Sequence, residues 1–200
     1  MPQIDTQKQP SLTWRFAVAA CISAAFIVID QITKALVRAG LVLNTAGPEI
    51  LPGILRLNYV QNVGAAFSLG EGMGGAFVLL AAIVIAATIW YLARTPLISR
   101  VEVVGLSMVA GGAVGNAIDR LLYGFVTDFF ATEFIDFPVF NVADIGITVG
   151  VVVALIGFMF LSPANKVDAT EELNRRDAQA REQREARREA RQARKKGKRG

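Results

Sequence analysis

The chain has 200 residues, 53% of them hydrophobic, and a formal net charge of +4 at pH 7. A composition this apolar excludes an ordinary soluble domain and points to the membrane class. One cysteine and no histidine exclude an internal disulfide framework, a Cys/His zinc site and serine–histidine chemistry, which leaves carboxylates and lysines as the strong acid/base side chains.

Residues 1–13 are polar. Four uncharged windows follow: Phe16–Ile29, Met73–Ala93, Val103–Ile118 and Ile145–Leu161. A helix rises about 1.5 Å per residue, so a hydrocarbon core of about 30 Å takes about 20 residues. Only the second window spans unaided, so the other three must be completed by polar or charged residues at the membrane boundary. The stretch between Arg15 and Cys21 is too short for the apolar core of a cleaved signal, so the first window reads as a helix.

The predicted helices cover about 14–38, 72–93, 101–119 and 141–161. In the first, Asp30, Lys34 and Arg38 recur at every fourth residue with the acid leading, the favourable order for a helical ion pair. Residues 39–71 form an outer loop with the alternating run "ILRLNYV". That run predicts a small β element with Leu55, Leu57 and Tyr59 on one face and Arg56 and Asn58 on the other. The third helix is expected to end at Asp119-Arg120, with a second outer loop over 120–140. Residues 162–200 form a basic tail holding 13 of the 21 Lys and Arg residues. Its composition fits a solvated helix, a disordered segment or a contact with anionic lipid headgroups. It has no aromatic residue on which to stack bases, so no nucleic-acid partner is expected.

The fold class is thus an all-α membrane protein of four transmembrane helices, with a small β element and a loop on the outer face. Basic residues concentrate on the side of the termini, which places both termini in the cytoplasm. Asp30, Asp119 and Asp144 then gather at the outer leaflet. Ionisable groups are costly there, so they read either as headgroup anchors or as functional groups. A proton-coupled transporter would carry its acids near the midplane, whereas these lie at one edge. A non-catalytic lipid-binding protein would need no particular pair of them.

Four stretches carry candidate chemistry: "NVGAAFS" (62–68), "GGAVGNAIDR" (111–120), "VTDF" (126–129) and "FNVAD" (140–144). The glycines of the second are also what close helix packing asks for. Asp119, Asp128, Asp136 and Asp144 lie close together in the chain. Two carboxylates brought together do not both ionise cheaply, so one keeps a proton. Such a pair holds a water, the ionised member taking its proton and the protonated member donating to a scissile carbonyl. That is peptide hydrolysis without metal, histidine or cysteine.

These stretches, with "DQITK" (30–34), resemble in order and spacing the lipoprotein signal peptidases, or signal peptidase II, of bacterial cytoplasmic membranes. The resemblance covers roughly residues 14–161 and leaves the basic tail unexplained. It implies an aspartic endopeptidase with Asp128 and Asp144 as the catalytic pair. Asp119 with Arg120 would be a supporting ion pair, and Asn62, Asn116 and Asn141 would donate hydrogen bonds to the aspartates or to substrate. Asp30 and Lys34 belong to the supporting set. The implied substrates are prolipoproteins cut just before a cysteine that carries diacylglycerol, and sensitivity to globomycin follows from the same likeness. Membrane lipid is the surrounding partner, and neither metal nor cofactor is expected. Asp144 near a helix N-terminus is favoured as the ion, apolar surroundings and a second acid oppose this, and the holder of the shared proton stays open.

Overall fold

The computed structural model describes residues 9–64, 72–162 and 177–182. The chain divides into Met1–Ser162 and Pro163–Gly200. In the second unit residues 177–182 are helical, and the rest of the basic tail lies outside the described residues, as do Ala65 to Ser68 of the "NVGAAFS" stretch and residues 1–8.

Among the described residues, four helices are long and apolar enough to cross a membrane. Helix α1, Leu12–Gly40, starts where the Ser11 hydroxyl accepts from the Trp14 N–H at 3.2 Å. Its buried residues are mostly charged, namely Arg15, Asp30 and Lys34 beside Val37, while Val28, Ile29, Ile32 and Leu36 are all exposed. Polar inside and apolar outside is the arrangement expected when lipid is the solvent. Helix α2, Gly74–Arg94, ends just before Thr95-Pro96, where proline cannot continue the helix. The buried Arg15 guanidinium donates to the Leu92 and Thr95 carbonyls at 3.0 and 2.6 Å, satisfying that helix end.

Helix α3, Arg100–Tyr123, opens on a capping box of Ser99 and Glu102 and closes on Gly124 at φ 80°. It runs past Asp119-Arg120, where the sequence predicted its end. The two charges do not break it, because each finds a partner beside the helix, and Gly124 supplies the left-handed turn that does. Half of its apolar window is buried, against 6–17% for the other three, so α3 is the centre of the bundle, packed on α1, α2 and α4. Helix α4, Val142–Ile156, is capped by Asn141 and runs into a π-helical turn, Gly157–Leu161. A Cβ on Gly105 of α3 would stand 2.6 Å from the Gly150 carbonyl of α4, so only glycine lets these backbones meet.

Three antiparallel strands in the order β1-β2-β3 lie at one end of the bundle: β1 (Ala46–Leu51), β2 (Leu55–Asn62) and β3 (Val126–Thr132). Strand β3 falls where the sequence predicted a loop. Its pairing partner, β2, is distant in the chain, with Val60 opposite Asp128 and Asn62 opposite Val126, and local pattern does not report such partners. Leu57 and Tyr59 share the face that packs on Val37 and Phe129, while Arg56 pairs with Glu49 at 2.9 Å and with Glu133.

Replacing Gly105 with leucine should lower stability by at least about 1–3 kcal/mol through overpacking. Gly74→Ala, where nothing lies within 4 Å of the added Cβ, should stay within about 0.5 kcal/mol of the parent. Thermal unfolding of both variants in detergent checks the contrast.

Candidate active site

Two tertiary contacts deliver the carboxylates. Asp128 is the third residue of β3 and Asp144 lies in the first turn of α4. The Phe129 and Phe130 N–H groups both donate to the Phe140 carbonyl, at 3.0 and 2.8 Å, and Phe140 N–H returns to the Phe130 carbonyl at 3.1 Å. That bridge pins β3 to the start of α4 and so sets Asp128 beside Asn141. On the other edge of β3, Asn62 ends β2.

Three asparagine amides then tie the acids together. Asp128 accepts from Asn62 Nδ2 at 2.9 Å and from Asn141 Nδ2 at 2.6 Å, one on each oxygen. Asp144 accepts from Asn116 Nδ2 at 2.8 Å and, in the capping box, from the Asn141 N–H at 3.0 Å. Asn141 Nδ2 also donates to Asn116 Oδ1 at 3.0 Å, so the chain Asp144–Asn116–Asn141–Asp128 is continuous. The amide directions are dictated by groups that can only donate. Gly64 N–H takes Asn62 Oδ1, Asp144 N–H takes Asn141 Oδ1, and Lys34 Nζ takes Asn116 Oδ1, at 2.9, 3.0 and 2.8 Å. Each amide must therefore present its NH2 to a carboxylate.

Both acids line a cavity of about 630 Å³ with Asn62, Asn116 and Arg120. The rest of its wall is mainly apolar, including Phe77, Leu80 and Val84 of α2 and Ile147 of α4. Asp128 is 2% exposed. Burial first, and the neighbouring Asp144 second, push its carboxyl up to about 7, against the opposing pull of the Asn62 and Asn141 hydrogen bonds and the Lys34 charge. Asp128 therefore holds a proton through the acid range in which an ordinary carboxyl has lost it. Among the described residues, no group of three or more His, Cys, Asp or Glu side chains is placed to hold a metal.

Behind the pair lies a second, fully buried group. Lys34 has no exposure and pairs with Asp30 at 2.9 Å, with Asp119 further off at 3.8 Å. Asp30 Oδ1 accepts the Ala143 N–H at 2.9 Å, an end-of-helix donor of α4. Asp119 accepts the Thr127 N–H at 2.8 Å and pairs with Arg38 at 3.4 Å, while Arg38 also donates to the Thr127 hydroxyl at 2.8 Å. These contacts fasten the residue next to Asp128.

The expected ion pair of Asp119 with Arg120 does not form. Successive helical residues point about 100° apart, so Asp119 turns to Arg38 and Lys34 while Arg120 turns to the cavity. There Arg120 donates to the Gly64 carbonyl at 2.8 Å and covers the Phe77 ring at 4.7 Å. Asn62, Asn116 and Asn141 donate to the aspartates, one of the two alternatives read from the sequence. Asp136, the remaining acid of the loop, does not line the cavity. Arg38, Gln31 and Thr127 were absent from the expected site. Gln31 Nε2 reaches Asp30, the Gly115 carbonyl and Asp119 at 3.1, 3.1 and 3.3 Å. Gln31 and Thr127 lie inside the stretches already singled out, and Arg38 lies on the face of Asp30 and Lys34, so a signal for each was present.

The family model described as Signal peptidase (SPase) II matches residues 22–160. The lipoprotein signal peptidase of Lactococcus lactis subsp. lactis (strain IL1403) is 41% identical over 133 residues, 66% of this chain and 87% of that protein. That of Streptococcus pneumoniae (strain ATCC BAA-255 / R6) is 38% identical over 143 residues, 72% of this chain and 93% of its own length. A bacterial membrane enzyme solved by the in meso method at 2.3 Å aligns with a TM-score of 0.67 at 28% identity, covering 72% of this chain and 88% of that one.

Two measurements probe this construction. Lys34→Met leaves Asp30 and Asp119 buried beside one cation fewer and should cost about 3–5 kcal/mol in thermal or denaturant unfolding. The Asp128 carboxyl, raised from an ordinary 3.8 to about 7, holds a proton in the folded state that the unfolded chain has lost. Stability should therefore fall as pH rises from about 4 to about 7, by up to about 1.4 kcal/mol per pH unit. Asp128→Asn should remove that component of the slope.

Proposed function

This chain belongs to the signal peptidase II family, and from that premise we propose that it is an aspartic endopeptidase acting on prolipoproteins in a bacterial membrane. The observation that carries the reading is the pair of carboxylates, Asp128 and Asp144, on one cavity and joined through Asn116 and Asn141. The substrate is a signal peptide followed by a cysteine that bears diacylglycerol, cut on the N-terminal side of that cysteine. The apolar wall of the cavity offers lipid-like surroundings to such a segment. The excess of Lys and Arg near the termini supports a cytoplasmic location for both ends and an outer-face location for the site.

The chemistry follows from the unequal surroundings of the two acids. Asp144 is held by donors on both oxygens at the N-terminus of α4, a place suited to a negative charge. It acts as the base. A water between the carboxylates gives its proton to Asp144 as its oxygen attacks the scissile carbonyl carbon. Asp128 gives its proton to the carbonyl oxygen, producing a neutral tetrahedral diol. The diol then collapses: Asp144 returns a proton to the departing amine nitrogen, Asp128 recovers one from a hydroxyl, and the C–N bond breaks. The starting protonation is restored and no metal is called on.

Asp128→Asn and Asp144→Asn should each lower cleavage of a diacylglyceryl-modified precursor peptide by at least about 100-fold while the protein still folds. Near wild-type cleavage by either would discard the pair. Because Asp128 works in its protonated form, the rate should fall about tenfold per pH unit above about 7. A chelator should leave the rate unchanged.

A further inference from the structure

Resting on the reading of Asp128 and Asp144 as a water-activating pair, we infer that Lys34 is a positioning residue that governs the protonation of Asp128 through Asn116 and Asn141. Lys34 is fully buried and is not part of the cavity wall, so it does not touch substrate. Its Nζ reaches Asn116 Oδ1 at 2.8 Å. An ammonium only donates, so Asn116 must offer it the carbonyl and turn its NH2 to Asp144, which it meets at 2.8 Å. Asn141 Nδ2 shares the same Asn116 oxygen at 3.0 Å and reaches Asp128 at 2.6 Å. The ammonium thus stands one amide from Asp144 and two from Asp128.

The other charges around the pair make this one decisive. From α1 come Lys34 and Asp30, with Arg38 behind Asp119. From α3 come Asp119 and Arg120, the latter facing the cavity. From α4 and β3 come the two acids themselves. Among the described residues α2 and β2 offer the uncharged Phe77 and Asn62. Lys34 lies between the active acids and two further buried carboxylates, Asp30 and Asp119, at 2.9 and 3.8 Å. Without it Asp128 would feel those negative charges through a low-dielectric interior, which favours keeping its proton. The Lys34 charge is among the influences that hold Asp128 down. A residue that only braced the fold would change rate or stability without moving the pH at which Asp128 titrates.

The test uses the full chain in detergent with a diacylglyceryl-modified precursor peptide, comparing wild type, Lys34→Met and Asp30→Asn/Lys34→Met. The double variant removes one charge of each sign and guards against misfolding of the single one. The alkaline limb of kcat should move up by about one pH unit in Lys34→Met and by less, in the same direction, in the double variant, which also loses the opposing Asp30 charge, with kcat at the optimum reduced and KM little changed. A limb at the wild-type position overturns the inference whatever the loss of rate. Where turnover is too slow to profile, the upper end of the pH range over which stability falls reads Asp128 without catalysis. It should lie about one unit above the wild-type value in Lys34→Met and less far above it in the double variant, and an unmoved end overturns the inference equally. Wild-type enzyme without an alkaline limb, or an active Asp128→Asn, sinks instead the aspartate-pair reading on which this one rests.

Discussion

A single ammonium group, that of Lys34, is shared inside the bundle between Asp30 at 2.9 Å, Asn116 at 2.8 Å and, more distantly, Asp119 at 3.8 Å. A lone buried ion is prohibitive in apolar surroundings, and a paired one is tolerable only when its remaining lone pairs and protons are also used. The arrangement meets that condition. Asp30 takes an N–H from the start of α4, Asp119 takes one from β3, and Asn116 passes its own donor to Asp144. Three elements are thereby fastened to one charge, and the side chains they carry form the wall of the cavity.

Helix α3 makes this geometry reachable. Gly115 lies against Asp30, where a Cβ would stand 2.6 Å from Oδ2. The same helix carries Asn116, Asp119 and Arg120 within its next turn. Close backbone contact on one face and polar side chains beside it are both consequences of a helix packed on three neighbours. Lipid supplies no hydrophobic drive to hold helices together, so tight van der Waals contact and internal hydrogen bonds take over that part.

Asp128 illustrates a tension between stability and use. Its burial beside a second acid raises its carboxyl to about 7, which weakens folding in neutral solution while it keeps a proton available for donation. The Asn62 and Asn141 amides moderate this without abolishing it. Their directions are set by backbone N–H groups, which no substitution short of proline removes. The site is therefore robust at those amides and sensitive at Asn116, where the orienting donor includes a side chain.

Four apolar spans, the alternation of Leu57 and Tyr59 against Arg56, and the start of the fourth helix near Asn141 with Asp144 close to its N-terminus were all legible in the residues, because each depends on neighbours a few positions away. So were the stretches that contain the polar residues of the site. Strand β3, the continuation of α3 to Tyr123 and the choice of Arg38 over Arg120 as the partner of Asp119 were decided only by the tertiary structure. Strand pairing joins segments far apart in the chain, and an ion pair depends on the side of a helix a residue faces and on what packs there. Local pattern thus identifies what a segment is able to be and which residues are chemically apt. The meeting of those residues across a cavity is a property of long-range contacts.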